Sequence, residues 1–308
     1  MTENSFFPCY DALAASGELA RRADELRRVI RSCRLCPRCC NVDRVAGERG
    51  FCRAGERASV TSHNVHHGEE PPISGSRGSG TVFFAHCTMR CLFCQNYPIS
   101  QLGHGHEVSD EQLAGYFLDL QRRGCHNLNL VTPTHYLHAS VAALAIAAGK
   151  GFDLPIVYNT GGYERVEILR LLDGVVDIYM PDMKYADSAK ALRYSDAPDY
   201  VERNLEAVAE MQRQVGDLVC DSHGIARCGL LVRHLVLPGA EDDGVAVLRA
   251  LRDRISPTAF VSLMSQYFPA HRAPQTPPLD KRVDPAAYAR VVEWMGSTDL
   301  RGWIQPLS

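Results

Sequence analysis

The stretch that decides the fold is Cys87-Thr88-Met89-Arg90-Cys91-Leu92-Phe93-Cys94, which follows the strand-like run 81–86. Three cysteines with the spacing C-x3-C-x2-C leave a predicted buried strand on one loop, so their thiolates can reach a single inorganic centre. They are one ligand short of the four cysteines that normally enclose a [4Fe–4S] cluster, which would leave one iron open to another ligand. A zinc site or free core thiols are the alternatives. Because structural zinc prefers a closed set of four ligands, the spacing favours the cluster.

The composition indicates one folded domain. At 308 residues, with 45% hydrophobic and 22% charged residues, the chain is long enough to bury a large core. The formal net charge of −3 argues against general nucleic-acid binding, although it leaves a local basic groove open. No apolar run approaches the about 18 residues of a membrane span. The first residues show no secretory leader, which predicts a reducing cytoplasmic location. In that compartment the twelve cysteines indicate metal sites more often than disulfides.

From residue 81 onward, strand-like and helix-like segments alternate. Helical patterns separate six apolar segments, which predicts a parallel sheet covered by helices. The six predicted strands lie at 81–86, 127–132, 156–159, 176–180, 230–237 and 259–265. Because the C-terminal ends of parallel strands meet at one edge of the sheet, functional side chains are expected there.

The cysteine triplet and several further motifs resemble those of the radical S-adenosylmethionine (SAM) enzymes. Phe93, just before the third cysteine, is the aromatic residue common in that signature. Within the superfamily the chain is similar to the branch named after pyruvate formate-lyase activating enzymes, over most of residues 33–270. The further motifs are Cys33-Arg34-Leu35-Cys36-Pro37-Arg38, Gly78-Ser79-Gly80, Gln95-Asn96-Tyr97-Pro98-Ile99-Ser100, Val131-Thr132-Pro133-Thr134-His135-Tyr136, Tyr158-Asn159-Thr160-Gly161-Gly162-Tyr163 and Arg233-His234-Leu235-Val236-Leu237-Pro238-Gly239.

The resemblance implies both a fold and a chemistry. The fold is α/β, a partial (β/α)6 barrel of the TIM type that stays open on one side, preceded by an N-terminal Cys-rich metal-binding segment. Cys87, Cys91 and Cys94 would hold a [4Fe–4S] cluster whose open iron chelates the amino and carboxylate groups of SAM. An electron from a flavodoxin- or ferredoxin-type donor would reach the cluster and break the sulfonium C–S bond. The 5′-deoxyadenosyl radical would then take a hydrogen atom from the substrate.

A second group of cysteines lies upstream of the triplet. The resemblance assigns Cys33, Cys36, Cys40 and Cys52 to a metal site and leaves Cys39 as an extra thiol. Four thiolates can close a coordination sphere, which fits either a second [4Fe–4S] cluster or a structural zinc ion. Because the paired knuckles typical of zinc are absent, the sequence slightly favours iron–sulfur.

The resemblance also indicates which strand ends hold SAM. Thr132 and Thr134 stand at the second strand, where the family holds the SAM amino group, and His135 beside them is a candidate catalytic contact. Asn159 and Gly161 lie in the turn that contacts the SAM carboxylate or ribose in that family.

Two further strand ends complete the predicted site. Asp182 and Lys184 are two positions apart and face the same way if the strand continues, and they match an Asp-Leu-Lys sequence that contacts SAM or substrate in activating enzymes. Both are predicted to be catalytic, and Lys184 also to bind the cofactor. Arg233 is predicted to bind the SAM carboxylate, because an arginine fork suits a carboxylate. The sequence Gly68-Glu69-Glu70-Pro71 is similar to the Gly-Gly-Glu-Pro motif of the family, but that motif belongs after the second strand, so no role is assigned to it here.

The motifs divide the chain into five parts. These are an N-terminal helical segment 1–32, a Cys-rich metal-binding module 33–58, a polar connecting loop 59–79, the barrel 80–270 and a C-terminal extension 271–308.

The sequence predicts a radical SAM enzyme, of oxidoreductase or transferase type, that acts on an unidentified small molecule, peptide or RNA. One alternative is an activating enzyme for a glycyl-radical protein partner. It is less favoured because the pyruvate formate-lyase activase lacks the N-terminal Cys segment. The other alternative is a non-catalytic iron–sulfur or metal-binding scaffold, against which the intact triplet, Lys184 and Arg233 argue.

Overall fold

A computed structural model describes residues 8–307 of the chain, and residues 1–7 of the predicted N-terminal segment lie outside them. The described part contains eleven α-helices: α1 Asp11–Ala15, α2 Glu18–Val29, α3 Pro71–Ser74, α4 Tyr97–Ser100, α5 Asp110–Arg122, α6 Leu137–Ala148, α7 Val166–Leu169, α8 Ser188–Ser195, α9 Tyr200–Val215, α10 Glu241–Arg254 and α11 Pro285–Gly296. It also contains ten strands: β1 Ala58–His66, β2 Ser79–Phe84, β3 His106–Val108, β4 Leu128–Val131, β5 Ile156–Thr160, β6 Ile178–Pro181, β7 Val219–Cys220, β8 Ala226–Leu235, β9 Phe260–Met264 and β10 Arg301–Ile304.

Six parallel strands, β2, β4, β5, β6, β8 and β9, form the centre of the sheet in that spatial order. They correspond to the six predicted strands, and their residues are buried almost throughout. Helices cross between them and cover the outer face of the strands, while side chains such as Val157, Ile178 and Leu231 fill part of the inner face. The sheet ends at β3 on one side and β10 on the other, so the barrel is open. The predicted α/β partial barrel is therefore confirmed.

Helix α6 shows how the N-terminal segment joins this barrel. Its residues are apolar nearly all round, which is the pattern of a helix that is buried on every side. It is covered by α2 and α5, and the apolar side of α2 is formed by Leu19, Ala23 and Leu26. The predicted N-terminal helix thus packs on a barrel helix.

The predicted polar loop 59–79 contains a strand and a short helix instead. Strand β1 pairs antiparallel with β2 and extends the sheet beyond its parallel part. Only the first three residues of β1 are buried, and the polar residues after Val60 are half-buried or exposed. Strand β3 pairs only with Ala58–Val60, so the rest of β1 is the outermost strand. An outermost strand needs one buried face at most, and the sequence of β1 therefore lacks the continuous apolar run on which the prediction relied.

The predicted C-terminal extension also contributes to the sheet. Helix α11 packs against α10, and β10 then pairs parallel with β9. All four residues of β10 are exposed, so burial gave no sequence signal for this edge strand. Within residues 8–307, no helix has the length and apolar character needed to cross a bilayer.

Candidate functional site

The three cysteines of the triplet line one cavity. The loop that carries them begins where β2 ends, and His86 turns the chain with a φ of +74° just before Cys87. Two backbone hydrogen bonds fix the loop to the end of α8: the Arg90 amide donates to the Ser195 carbonyl (3.1 Å) and the Leu92 amide to that of Tyr194 (2.8 Å). The cavity has a volume of about 290 Å³ and opens at the C-terminal ends of the parallel strands.

Each thiol of the triplet has a polar neighbour. The Met89 amide donates to the Cys87 sulfur (3.4 Å), the Ser195 hydroxyl donates to that of Cys91 (3.0 Å), and the Ser100 hydroxyl lies 3.2 Å from that of Cys94. Hydrogen bonds to sulfur tune the ligands of an iron–sulfur cluster.

Burial favours the protonated form of two of these thiols. Burial, with the neighbouring Cys91, raises the pKa of Cys87 to about 12. Burial also raises the pKa of Cys91, although the Lys184 ammonium opposes this. A bound cation would replace those protons, because a metal deprotonates the thiol that ligates it.

Polar residues from three further strands line the same cavity. Asn159 and Gly161 come from the end of β5, Asp182 and Lys184 from the segment after β6, and Arg233 from β8. The Lys184 ammonium donates to one oxygen of Asp182 (2.5 Å), and Arg233 Nε donates to the other oxygen (3.0 Å). The structure thus brings together the residues predicted at these strand ends.

Charge pairing keeps these side chains ionised despite their burial. Burial opposes ionisation of Asp182, but Arg233 and Lys184 hold its pKa below the ordinary value. Burial likewise opposes the charge on Lys184, but Asp182 raises its pKa. Asp182 accepts only one hydrogen bond from Lys184 and one from Arg233. Both cations therefore keep further N–H donors that can bind a ligand.

Helix α9 holds the backbone beneath these residues. The Tyr200 hydroxyl lies 2.8 Å from the Gly161 carbonyl and accepts from the Lys184 amide (3.1 Å). The Asn204 side chain donates to the carbonyls of Gly162 (3.0 Å) and Asp182 (2.9 Å). A Cβ at Gly162 would lie 2.2 Å from the Asn204 side-chain nitrogen, which explains glycine at this position with a φ of +74°. Sequence reasoning missed both α9 residues, because nothing in a helix sequence marks which polar residue reaches a distant turn.

The three predicted residues after β4 separate in the structure. Thr132 lines the cavity and has a φ of +58°, which turns the chain away from the strand direction. The chain then enters a single 3₁₀ turn, so Thr134 and His135 are buried behind the cavity wall. The Thr134 hydroxyl donates to Glu164 (2.5 Å), and neither Thr134 nor His135 lines the cavity predicted for SAM.

His135 instead lies against the other group of cysteines. Its Nε2 donates to the Ala85 carbonyl (2.8 Å), and burial lowers its pKa to about 3. Its imidazole is therefore neutral and enclosed, which does not suit the predicted catalytic contact with SAM or substrate.

The upstream cysteines form a second cluster of thiols. Cys33, Cys36, Cys40 and Cys52 line one enclosed cavity, and Cys39 is not among its lining residues. This is the same division of the five thiols that the resemblance implied.

Arg44 supplies a positive charge beside these four thiols. Its side chain is 1% exposed, donates to the carbonyls of Gly55 and His135, and lies 3.9 Å from the Cys33 sulfur. Within residues 8–307 Arg44 makes no ion pair with a carboxylate, so a tetrathiolate metal centre would supply the missing negative charge.

The spacing of the thiols helps to distinguish an iron–sulfur cluster from a single metal ion. Among residues 8–307, no three His, Cys, Asp or Glu side chains are already arranged to hold a single metal ion. Ligands of an iron–sulfur cluster bind different irons and lie farther apart than ligands of one ion, which suits the triplet and its cavity of about 290 Å³. The cavity of the upstream cysteines is about 10 Å³, so a four-iron cluster there would require the segment to open.

A third cavity separates the two groups of cysteines. It has a volume of about 300 Å³ and is lined by Cys52 from one group and Cys87 from the other. Its remaining titratable side chains are all basic: His86, Arg53, Arg90, His271 and Arg272. Below, this feature is called the basic cleft.

Residues 81–225 match the Radical SAM superfamily. An uncharacterised protein of Methanocaldococcus jannaschii is 28% identical over 267 residues, which are 83% of this chain and 72% of that protein. Crystal structures of Streptococcus suis SuiB, alone, bound to S-adenosylmethionine and bound to precursor peptide SuiA, each align with 72% of this chain. The TM-scores are 0.50, 0.49 and 0.49, with 11%, 10% and 10% identity. The chain spans about half the length of SuiB, 47–48% of it, and the likeness to SuiB concerns the fold alone. This chain therefore carries a domain of the Radical SAM superfamily at residues 81–225, and members of that superfamily are enzymes.

Proposed function

We propose that this protein is a radical SAM enzyme in which Cys87, Cys91 and Cys94 hold a [4Fe–4S] cluster and the cavity above them binds SAM. The observation that supports the proposal most directly is a shared cavity, because the three thiols and five predicted polar residues line the same space. When bound, the cluster would supply the electron that cleaves SAM, so that its deoxyadenosyl group takes a hydrogen atom from the substrate.

The protein's own residues have separate tasks in this proposal. Lys184 and Arg233 offer their free donors to the SAM carboxylate, while Asp182 keeps both side chains oriented. Asn159 and the backbone at Gly161 offer polar contacts to the ribose or the amino acid part.

Apolar side chains complete the other wall of the cavity. Met89, Phe93, Leu235, Leu237 and Met264 line it and would contact the non-polar parts of SAM and substrate. These residues also exclude water from the space where the substrate would react.

The substrate remains the prediction made from the sequence, namely a small molecule, peptide or RNA. The activating-enzyme alternative would be recognised by a glycyl-radical signal in electron paramagnetic resonance spectra of a candidate protein partner.

The proposed chemistry is tested by reductive SAM cleavage after anaerobic reconstitution. We expect the wild-type protein to release 5′-deoxyadenosine and Cys91→Ala to lose at least about a hundredfold of that activity, because one of three iron ligands is gone. Cys220→Ala is the matched control, because Cys220 is exposed on β7 and does not line the cavity. Cleavage at the wild-type rate by Cys91→Ala would refute the proposal.

We also propose that Cys33, Cys36, Cys40 and Cys52 ligate a second metal centre. Their shared cavity and the buried charge of Arg44 support a tetrathiolate site, whether a zinc ion or a second [4Fe–4S] cluster. A zinc ion would stabilise the segment, whereas a cluster could also carry electrons.

Metal analysis distinguishes these two centres and tests the site itself. A wild-type protein with about eight irons per chain would hold two clusters, and one with about four irons and one zinc would hold a structural zinc. Cys40→Ala should lose the second metal in either case. Cys39→Ala should keep it, because the Cys39 thiol does not line the cavity. Equal loss in both variants would contradict the assignment.

The predicted electron donor fits the basic cleft. Flavodoxin- and ferredoxin-type donors that are acidic would be attracted by the three arginines there. The cleft also lies beside Cys87, a proposed cluster ligand, so a donor bound in it would be close to the cluster.

A further inference from the structure

The segment Gly68-Glu69-Glu70-Pro71, to which the sequence pattern assigned no role, lies at the closed end of the barrel. Strand β1 runs antiparallel to β2, so the segment after β1 lies at the N-terminal end of the parallel strands. There the chain forms α3, and Ile73 packs inside the barrel against Val157, Ile178 and Leu231. This segment is therefore a plug that fills the barrel from the end opposite the cysteine loop.

Several hydrogen bonds hold the plug in place. The Asn127 side chain donates to the Ile73 carbonyl (2.8 Å), and the Ser79 hydroxyl donates to Asn127 (2.7 Å), which ties α3 to β2 and to the residue before β4. The Glu69 amide donates to the Ser74 hydroxyl (3.0 Å). Because its backbone is fixed in this way, Glu69 has a defined position inside the barrel.

Glu69 reaches the proposed SAM site through Arg233. Its carboxylate lies 3.6 Å from Arg233 Nη1, and the Glu69 side chain is 9% exposed. Asp182 contacts the same guanidinium at Nε, so two carboxylates hold Arg233 from different elements. Arg233 lines the cavity and Glu69 does not, which places Glu69 behind the arginine as seen from the cavity.

Buried carboxyl groups outnumber buried cations around Arg233. Glu69, Glu70 and Asp182 supply three carboxyl groups around two cations, Arg233 and Lys184. Glu70 is 6% exposed, and one of its oxygens has no hydrogen-bond partner within residues 8–307. Burial raises the pKa of Glu69 to about 7, against the opposing effect of Arg233. Buried carboxyl groups in excess of cations are costly, which fits a site that receives a cationic sulfonium ligand.

We propose that Glu69 is a positioning residue that orients the Arg233 guanidinium from the closed end of the barrel and thereby sets the affinity for SAM. This inference rests on the proposed function, because it takes SAM as the ligand of Arg233. Asp182 contacts Nε of Arg233 and Glu69 contacts Nη1, so the guanidinium is held in one orientation. Its remaining donors stay available to the SAM carboxylate. The acidic plug thus acts on the cavity without contacting the ligand.

A double-mutant cycle tests the proposal on the reconstituted protein, with SAM affinity measured by anaerobic equilibrium dialysis. Glu69→Gln should weaken SAM binding about tenfold when Arg233 is present. In an Arg233→Gln background the same change should alter the affinity less than about twofold, because the group through which Glu69 acts is missing. Equal effects in both backgrounds, or no effect in either, would overturn the proposal.

Glu210→Gln is the matched control, because it removes a carboxylate of similar burial, 7% exposed, that pairs with a different arginine, Arg213, and does not line the cavity. It should leave SAM affinity within about twofold of the wild type. A loss equal to that of Glu69→Gln would show that removal of any buried, arginine-paired carboxylate weakens SAM binding, and it would overturn the specific role of Glu69. Iron content should be unchanged in both variants.

The four proteins of the double-mutant cycle are the wild type, Glu69→Gln, Arg233→Gln and the double variant. They also distinguish failure of this inference from failure of the proposed function. If the wild-type protein bound no SAM, the proposed function would be refuted. The coupling between Glu69 and Arg233 would then be measured from the thermal unfolding midpoints of the four proteins. Coupling between Glu69 and Arg233 in that midpoint would support the orienting contact, and additivity would refute it.

Discussion

Glu164 is a buried carboxyl group that lies one layer behind the proposed SAM site. Its side chain accepts hydrogen bonds from Thr134 and Thr160 (both 2.5 Å), and it is 1% exposed. Thr160 directly follows Asn159, so Glu164 supports the turn that brings Asn159 and Gly161 into the cavity. Thr134, predicted from the sequence to contact SAM, belongs to this supporting layer.

The buried position of Glu164 gives the stability of the protein a defined dependence on pH. Burial raises its pKa from 4.5 to about 7, although the hydroxyls of Thr134 and Thr160 oppose the shift. The folded protein therefore binds this proton more tightly than the unfolded chain does. The stabilisation is complete below about pH 4.5 and is lost as the pH rises to about 7.

Glu164→Gln should remove this dependence, because glutamine cannot ionise and can still accept from the two threonines. Between pH 5 and pH 8 the unfolding free energy of the wild type should fall relative to the variant by on the order of 2 kcal/mol. Denaturant unfolding of both proteins at the two pH values measures the difference. Glu69 and Asp177, which also have raised pKa values, are present in both proteins and cancel. A difference that is constant with pH would contradict the assignment of the shift to Glu164.

At the scale of elements, the sequence predicted best the segments whose two faces are both buried. The six parallel strands are apolar nearly throughout, and so they stood out from the helices between them. Strands β1 and β10 lie toward the edges of the sheet with exposed residues, which gave no such pattern.

The same physical difference explains which site residues the sequence revealed. The cysteines, Asn159, Asp182 and Arg233 follow or end strands, and a parallel sheet gathers those positions at one edge. Tyr200, Asn204, Ser195 and Glu69 reach the site from helices and from the plug. Their positions depend on how distant elements pack, and neither motif spacing nor periodicity specifies that packing.

The Cys-rich segment 33–57 is an element with its own internal anchor, Arg44. This arginine bonds the Gly55 carbonyl within the segment and the His135 carbonyl after β4, so one side chain joins the segment to the barrel. The Cys33 amide also donates to the Val42 carbonyl (2.9 Å), and that of Arg44 to the Ile30 carbonyl (3.0 Å). The segment is thus closed around Arg44 and the four thiols.

Arg44→Met should loosen this segment while nearly preserving the side-chain volume. The change leaves two buried carbonyls without their donor and removes the cation beside the thiols, which should lower the unfolding free energy by about 3 kcal/mol. The second metal should be lost more readily to a chelator, as measured by metal content after a timed incubation.

Arg31→Met is the matched control, because Arg31 lies near the same segment and is exposed. It should change neither quantity appreciably. If Arg44→Met kept both its stability and its metal, the buried charge would have no role in holding the centre.

At the scale of the whole molecule, the distribution of charge matters more than its sum. The chain has a formal net charge of −3, yet the basic cleft is lined by the three guanidinium groups of Arg53, Arg90 and Arg272 and by no carboxylate among the described residues. Within residues 8–307, no carboxylate forms an ion pair with Arg53, Arg90 or Arg272, while Arg38 and Arg90 both stack on Phe51. A region of unneutralised positive charge beside both groups of thiols would attract an acidic electron carrier even though the protein as a whole is anionic.

Reversing charge in the basic cleft should therefore slow reduction of the protein by an acidic donor. Arg53 and Arg272 are exposed, so replacing both with glutamate should not disturb the core. With photoreduced flavodoxin as the donor, the double variant should be reduced about tenfold more slowly at low ionic strength, and the difference should shrink as salt screens the charges. Stopped-flow absorbance of the flavin measures the rate.

Two comparisons make this result specific to docking. Replacing both Lys281 and Arg290 with glutamate makes the same charge change at exposed positions outside the cleft, and it should leave the rate nearly unchanged. Reduction by dithionite, which needs no protein interface, should proceed at the wild-type rate in every variant. If the double variant were slowed equally with dithionite, the substitutions would have damaged the metal centres. If flavodoxin reduced it at the wild-type rate, the donor would bind elsewhere, because opposite charge in the cleft must weaken an encounter that depends on attraction.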